Sequence, residues 1–371
     1  MLHVEILPRT AKDLQPFIQL PFDLYAGDSN WVPPVRKKLL DTLLSAENEL
    51  LAHSQPRFFL AYNDETPIAR VLAGVDIHPD HPEEKLGWFS LFESTDNMDG
   101  VRAVMDAACA YLKEKGAKRM VGPIAPMYDL LNRGLQVDAF DAPPVLQNPY
   151  NKAYYPALLE GYGFIKARDY LAYDILVADV PLDKLESLAE KVEKRFGFRV
   201  EEIPAKRIGL RLAREIAVII AQGARGHQMD VPTAEEILLL LETLKPVYRE
   251  GLCVMAYAGD NPIGVVLAFP DNTAYLQALG GFETPLRQLK AAIAMRGVTT
   301  VRCPMQSVIP DYQNKAVNLA MIRKAISNAK RMGFTRIEGS TVPEDDVSSV
   351  NNTLLAGGAP YRTYRVYARA L

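Results

Sequence analysis

The segment Phe59–Ala73, FLAYNDETPIARVLA, is repeated 195 residues later as Val254–Ala268, VMAYAGDNPIGVVLA. In both copies turn residues separate two apolar runs, which predicts an antiparallel hairpin in each half of the chain. The opening segment His3–Pro8 is echoed at nearly the same distance by Arg199–Pro204. Because solenoid repeats have periods of roughly 20–50 residues, a repeat this long indicates a duplicated domain.

The length of 371 residues agrees with two domains, and the repeat places them at 1–178 and 179–371. Residues 122–151, rich in proline and asparagine, form a long insert in the first domain. Each half is predicted to run strand, helices, hairpin, strand, helix, strand, helix, strand. This order predicts an α/β (α+β) fold with two tandem domains, each a mixed, mostly antiparallel sheet flanked by helices.

The composition favours an ordinary globular protein. Hydrophobic residues make up 49% of the chain and the formal net charge is −3, so we expect neither a nucleic-acid nor a membrane partner. The three cysteines are widely separated and the five histidines show no metal-ligand spacing, so we expect reduced thiols and no metal cofactor. The first residues lack the pattern of a secretory signal, and we expect a cytoplasmic location. The oligomeric state cannot be inferred from the sequence.

The segment Val308–Asn318, VIPDYQNKAVN, is the leading candidate for ligand binding. It connects a predicted strand to a predicted helix, and such a loop exposes the first amides of the helix at the positive end of its dipole. This arrangement favours a pyrophosphate ligand. The alternative is an ordinary strand-to-helix connection. The corresponding loop of the first half, Phe92–Gly100, carries three acidic residues and is not expected to bind phosphate.

Two other stretches are candidates for substrate chemistry. The insert is long, aromatic and stiffened by proline, as functional loops often are. Glu344 and Asp345 follow a predicted strand end, where α/β folds commonly place ligands, and either is a candidate general base for an amine. The alternatives are a structural loop for the insert and helix capping for the acids. The candidate substrate-binding residues of the insert are Tyr128, Asp129, Asn132, Arg133 and Tyr150.

The order of elements and the segment after Val308 resemble the GNAT acyltransferases, whose acyl-CoA loop reads Pro-x-x-(Arg/Gln)-x-x-Gly-x-(Gly/Ala). Gln313 matches the Arg/Gln position, whereas Ala316 and Asn318 replace the two small residues. The resemblance implies acetyl-CoA or another acyl-CoA as co-substrate. The tyrosine that these enzymes often use as proton donor is absent at its usual position, and Tyr364 is a nearby candidate for that role. The residues expected to bind the cofactor are Val308, Gln313, Asn314, Lys315, Ala316, Val317 and Asn318.

The whole chain is also similar to a group of bacterial tandem-GNAT proteins that are largely uncharacterised. The shared features include the Trp-Val-Pro-Pro entry at Trp31–Pro34, the blocks of the insert and the Tyr-Arg-x-Tyr ending at Tyr361–Tyr364. Thr341 and Asp346 depart from that pattern. The resemblance implies an N-acyltransferase that moves an acetyl or acyl group from acyl-CoA to a small-molecule amine. The alternatives are a Fem-type aminoacyl or peptidyl transferase and a catalytically inactive GNAT-fold protein that binds a metabolite.

Overall fold

The computed structural model describes residues 1–46, 48, 51, 54–77, 85–124, 132–224 and 231–371, and its mixture of strands and helices confirms the predicted α/β class. The strands of this part of the chain are β1 (Leu2–Leu7), β2 (Arg57–Asn63), β3 (Thr66–Ile77), β4 (Lys85–Ser94), β5 (Arg119–Gly122), β6 (Leu135–Gln136), β7 (Ile165–Leu176), β8 (Arg199–Glu202), β9 (Val254–Ala258), β10 (Asn261–Pro270), β11 (Thr300–Val308), β12 (Arg336–Pro343) and β13 (Ala359–Ala370). Its helices are α1 (Gln15–Leu24), α2 (Arg36–Leu44), α3 (Met98–Glu114), α4 (Tyr155–Tyr162), α5 (Leu182–Phe196), α6 (Leu210–Gly223), α7 (Ala234–Leu244), α8 (Thr273–Leu279), α9 (Pro285–Ala294), α10 (Val317–Arg331) and α11 (Val347–Leu355).

The chain forms two compact units, and neither is a continuous stretch of sequence. Unit 1 comprises Met1–Tyr170, Thr273–Met295 and Arg362–Leu371, and unit 2 comprises Leu171–Asn272 and Arg296–Tyr361. The predicted domains at 1–178 and 179–371 describe the sequence repeat. The compact units instead take segments from both repeats.

The strands of the two units follow the same pattern. In unit 1, β1 to β4 are successively antiparallel, and β4 then runs parallel to β5. In unit 2, β8 to β11 are successively antiparallel, and β11 runs parallel to β12. One antiparallel series followed by one parallel pair is therefore common to both units.

In each unit the strand next to the parallel pair comes from the other sequence repeat. In unit 1, β5 pairs with the end of β13, where Met120 lies opposite Arg369. In unit 2, β7 is the neighbour of β12. Each parallel pair therefore has a partner strand on its far side, supplied by a segment far away in the sequence.

The duplicated hairpins share their register as well as their sequence. Tyr62 lies opposite Pro67 in the first copy, and Tyr257 lies opposite Pro262 in the second. In both hairpins the pairing register shifts by one residue next to this pair. The unpaired residue is Ile68 in the first hairpin and Ile263 in the second, and each forms a β-bulge. The hairpin predicted for each half is confirmed, together with an irregularity that both copies retain.

The sheet of unit 1 is covered on both faces. Along β2, Phe59 packs against α3 and α4 in one cluster, whereas its neighbours Phe58 and Leu60 pack with α1 in another. Successive side chains of a strand point to opposite faces, so a sheet with helices on both sides requires apolar residues in a continuous run. This requirement explains the unbroken apolar sequence of the strand.

Unit 2 has the same kind of core. Val254 and Ala256 of β9 pack against Ala320 and Met321 of α10. Thr233 begins α7 with a capping box: its hydroxyl accepts from the Glu236 amide, and the Glu236 carboxylate accepts from the Thr233 amide. The sequence analysis did not predict α8 and α9. Among the described helices none is long and apolar enough to cross a membrane.

Candidate active site

The paired strands β11 and β12 of unit 2 separate toward their carboxyl ends. They pair in parallel from Thr300 opposite Arg336 to Cys303 opposite Gly339, and within the described chain this pairing goes no further. On its other side β11 stays paired with β10 as far as Val308. Pro304 follows Cys303, the last residue of β11 that pairs with β12. Because proline has no N–H to donate, it cannot extend the ladder between these two strands. The end of β11 therefore presents a free strand edge to the gap between the two strands.

The helix α10 begins just beyond this gap. Ala316 is its N-terminal cap residue in the left-handed conformation (φ 56°), and no described side chain caps the helix. The first intrahelical bond runs from the Ala320 amide to the Ala316 carbonyl at 3.1 Å. The amides of Val317, Asn318 and Leu319 come before it and have no acceptor within the helix. They lie at the positive end of the helix dipole, which suits an anion.

The loop between β11 and α10 is held by its own bonds and carries a cation. The side chain of Gln313 donates to the Val308 carbonyl at 3.1 Å, and its backbone amide donates to the Ile309 carbonyl at 3.2 Å. The ammonium of Lys315 lies 4.7 Å from the centre of the Tyr312 ring. The predicted cofactor residues are contiguous in this loop and the first turn of α10, and Lys315 comes two residues before the first free amide, that of Val317.

The left-handed Ala316 leads to a stability prediction. A residue with a Cβ in this conformation is strained by about 1–2 kcal/mol, and glycine regains about half of that after its larger unfolded-chain entropy is included. We expect Ala316→Gly to raise the free energy of unfolding of unit 2 by about 0.5–1 kcal/mol. Hydrogen exchange of the unit 2 amides measures this change. The control Ala320→Gly, which is buried inside the same helix, should be destabilising.

Asn318 departs from the GNAT pattern, and its side-chain oxygen lacks a hydrogen bond from the described residues. Its Oδ1 is buried and has no hydrogen-bond partner among the described residues. A buried acceptor without a partner is unfavourable unless something donates to it. The side chain lies in the first turn of α10, beside the free amides.

The predicted acids follow β12 in the same unit. Glu344 and Asp345 are both exposed. The next residue, Asp346, caps α11: its carboxylate accepts from the Ser349 amide at 3.0 Å and from the Ser349 hydroxyl at 2.7 Å. Helix capping, the alternative considered for Glu344 and Asp345, is therefore carried out by their neighbour. The two acids stay at the carboxyl end of β12, where the strands have separated.

The other predicted site residues belong to unit 1. Tyr364 lies on β13 with its side chain fully buried, which does not suit a group that must reach a substrate. Tyr150 donates to Asp28 at 3.1 Å, and burial, followed by the charge of Asp28, raises the pKa of the tyrosine to about 12. Asn132 is exposed and Arg133 is partly buried. Tyr128 and Asp129 lie outside the described residues.

The insert is tied to β13 by an arginine. The guanidinium of Arg362 donates to the carbonyls of Pro143, Ala139 and Ala142 at 2.9–3.1 Å. These three bonds tie the backbone of residues 139–143 to β13. Hydrogen bonds therefore link two of the segments that resemble the bacterial tandem-GNAT proteins. One is Phe140–Pro144 of the insert, and the other is the ending Tyr361–Tyr364.

A buried charge cluster in unit 1 was missed by the sequence analysis. Arg70 and Glu93 are cross-strand partners on β3 and β4, with 3.6 Å between guanidinium and carboxylate. Tyr25 and Tyr155 donate their hydroxyls to the second carboxylate oxygen at 3.0 and 2.8 Å. Arg70 also donates to the Phe17 carbonyl. A signal was present for Arg70, which interrupts the apolar run of the predicted hairpin, whereas Glu93 was assigned to the loop Phe92–Gly100 and is in fact part of β4.

This cluster changes the proton affinity of its carboxyl group. Burial raises the pKa of Glu93, and the opposing effects of Arg70 and the two hydroxyls do not cancel it. Burial, followed by the nearby Glu93, also raises the pKa of Tyr25 and of Tyr155, so both remain donors. A carboxyl group whose pKa is raised by burial is found at proton-transfer sites and also in purely structural clusters.

The raised pKa of Glu93 predicts a pH dependence of stability. Its folded pKa lies above the ordinary value of 4.5, so the folded state holds this proton more tightly than the unfolded state. As the pH rises from about 4.5 through the folded pKa, the wild type should lose stability relative to Glu93→Gln. Urea unfolding followed by tryptophan fluorescence measures this difference, because Trp31 and Trp88, the two tryptophans of the chain, both lie in unit 1. If the wild type instead becomes more stable relative to Glu93→Gln over this pH range, the pKa of Glu93 is not raised in the folded protein.

The helix after β4 in unit 1 differs from its counterpart α10. Its cap residue Asn97 accepts with its side chain from the amides of Asp99 at 3.0 Å and Gly100 at 3.1 Å. The amides that an anion would need are therefore already bonded. That the first half does not bind phosphate at this loop stays a prediction, which the side-chain cap of α3 favours.

Among the residues described, no group of three histidine, cysteine, aspartate or glutamate side chains is placed to hold a metal ion. No protein-family model matches the chain. It is 26% identical over 369 residues to Protein YghO of Escherichia coli (strain K12), covering 97% of this chain and 93% of that protein. It is 27% identical over 383 residues to the bacterial ceramide synthase of Caulobacter vibrioides, covering 99% and 98%.

Among solved structures, the chain is similar to a tandem GNAT protein from the clavulanic acid biosynthesis pathway. The TM-score is 0.58 at 8% sequence identity, and the match covers 100% of this chain and 98% of that one. Together with the strand pattern of the two units, this similarity shows that the protein has the tandem GNAT fold. The resemblance found in the sequence is therefore confirmed at the level of the fold.

Proposed function

We propose that the protein is an N-acyltransferase that moves an acyl group from acyl-CoA to an amine, with the CoA bound by unit 2. The observation that carries the proposal is the N-terminus of α10, which has three leading amides and no side-chain cap and directly follows Lys315 in the sequence. A pyrophosphate can accept from these amides. The gap between β11 and β12 lies directly before this loop and is the proposed position of the pantetheine and thioester.

The proposed reaction is direct transfer. The neutral amine attacks the thioester carbon and forms the C–N bond, and the C–S bond then breaks. The amine nitrogen loses a proton to Glu344 or Asp345, and the CoA thiolate leaves and is protonated from solvent. Holding the amine about 3–3.5 Å from the thioester carbon supplies much of the acceleration. Exposed carboxylates with ordinary access to water can return the proton to solvent after each turnover.

The comparison with the bacterial ceramide synthase supports an amine acceptor. A ceramide is an amide of a long-chain amino alcohol, and the similarity to the protein of that name covers almost the whole of both chains. The tandem GNAT fold supports an acyl-CoA donor. We infer that the acceptor carries a primary amine, and a long-chain amino alcohol is the first acceptor to be tried.

Calorimetric titration with acyl-CoA tests the cofactor site. Lys315→Gln and Lys330→Gln neutralise one lysine at each end of α10, so they form a matched pair. We expect Lys315→Gln to weaken acyl-CoA binding roughly twofold to fivefold, since one surface charge contact is worth up to about 1 kcal/mol. Lys330→Gln should leave binding unchanged. Failure of the wild type to bind acyl-CoA at millimolar concentration would refute the proposal.

A further inference from the structure

The helix α9 of unit 1 carries its large apolar side chains on the outside. Leu286, Leu289 and Ile293 are 64%, 59% and 54% exposed, and Phe282, just before the helix, is 47% exposed. The spacing of the three helical residues places them on one face. We call these four residues the α9 stripe.

The opposite face of α9 is the one that packs against the protein. Ala291 is fully buried and forms a small cluster with Val35 and Leu279. A surface helix ordinarily turns its large apolar residues toward the core and its small or polar residues outward. Here the small residue faces inward and the large ones face outward. A contiguous exposed apolar patch of this kind marks an interaction surface.

Basic residues surround the α9 stripe. The start of α2 adjoins it, since the Arg36 amide donates to the Gly281 carbonyl at 3.0 Å and the Arg36 guanidinium lies 5.1 Å from the centre of the Phe282 ring. Lys38 pairs with Glu283 at 2.9 Å. Five basic residues stand against three acidic ones in this region. The basic residues are Arg36, Lys37, Lys38, Arg287 and Lys290, and the acidic ones are Asp23, Asp41 and Glu283.

We propose that the α9 stripe docks the protein onto an anionic membrane surface, with the four apolar side chains in the boundary between headgroups and acyl chains. Helices that bind in this way combine an apolar face with flanking lysine and arginine, and anionic lipids add an electrostatic attraction. A second copy of the chain is the less suitable partner, because a two-fold contact through this stripe would bring the two basic rims together. The net charge of −3 pointed away from membranes, but the local charge around α9 has the opposite sign.

Sedimentation with lipid vesicles tests the proposal without CoA or turnover, so its outcome is independent of the proposed function. The probes are phosphatidylcholine vesicles with and without phosphatidylglycerol. The test variant is Leu286→Ser/Leu289→Ser/Ile293→Ser. The matched control removes three exposed apolar side chains of unit 2, in the variant Val218→Ser/Leu239→Ser/Leu355→Ser. Circular dichroism verifies that both variants are folded.

We expect the wild type and the control variant to bind the anionic vesicles, and the α9 variant to bind at least about tenfold more weakly, since burial of three aliphatic side chains is lost. Lys290→Glu should weaken binding to anionic vesicles and leave the weaker binding to neutral ones unchanged, and added salt should have the same effect. The proposal is overturned if the wild type binds no vesicles or if the α9 variant binds as well as the control. It is also overturned if the wild type is a dimer that the α9 variant dissociates while vesicle binding stays the same.

Discussion

Replacing Arg70 by alanine should lower the free energy of unfolding of unit 1 by about 3–5 kcal/mol at neutral pH. The side chain is buried between β3 and β4, and its removal leaves the Glu93 carboxylate without its cation and the Phe17 carbonyl without its donor. The two tyrosine hydroxyls that remain on Glu93 cannot replace a full positive charge. Urea unfolding followed by the fluorescence of Trp31 and Trp88 reports on unit 1.

A second variant separates the charge effect from the loss of volume. Arg70→Met/Glu93→Leu removes both charges and fills the space with apolar atoms, so it should recover part of the stability that Arg70→Ala loses, although the Phe17 carbonyl and the two tyrosine hydroxyls lose their partners. Arg70→Lys keeps the charge and should fall between the two. If the double variant is as unstable as Arg70→Ala, the ion pair is not the cause of the loss.

Neutralising the two acids after β12 should have the largest effect on turnover. In the proposed reaction Glu344 or Asp345 removes the proton of the amine, and a positioned base contributes about 10²–10⁴-fold to the rate. We expect Glu344→Gln/Asp345→Asn to lower kcat by at least about 10²-fold and to change the KM for acyl-CoA little, since the cofactor contacts lie on α10. This rate is measured as the release of the CoA thiol in the presence of an amine that the wild type acylates.

The adjacent acid provides the control for this prediction. Asp346→Asn removes a third carboxylate from the same turn, and asparagine keeps the cap on α11. Its kcat should stay close to that of the wild type. Equal losses in Asp346→Asn and in the double variant would indicate a general effect of charge or of loop structure and would contradict the base assignment.

Local sequence signals predicted the local structure well. The hairpins at 57–77 and 254–270 followed from turn residues between apolar runs. The loop after Val308 was also found from its position between a strand and a helix. These features depend on contacts within a few residues, which a single sequence specifies directly.

Features that depend on distant parts of the chain were not predicted. The sequence offers β13 two equivalent neighbours, β5 and β12, because these strands occupy the same position in the two repeats. Nothing local to β13 indicates that it lies beside β5. The burial of Tyr364 follows from that placement. The Arg70–Glu93 pair needed the register of β3 against β4, and α9 was overlooked because its apolar residues do not face the core.

A crystal structure of the protein soaked with acyl-CoA tests the central proposal most directly. We predict pyrophosphate density within hydrogen-bonding distance of the amides of Val317, Asn318 and Leu319, with the thioester in the gap between β11 and β12. Pyrophosphate density at the start of α3, where Asn97 now caps the helix, would contradict this account. Soaked crystals without CoA density in unit 2 would contradict it equally.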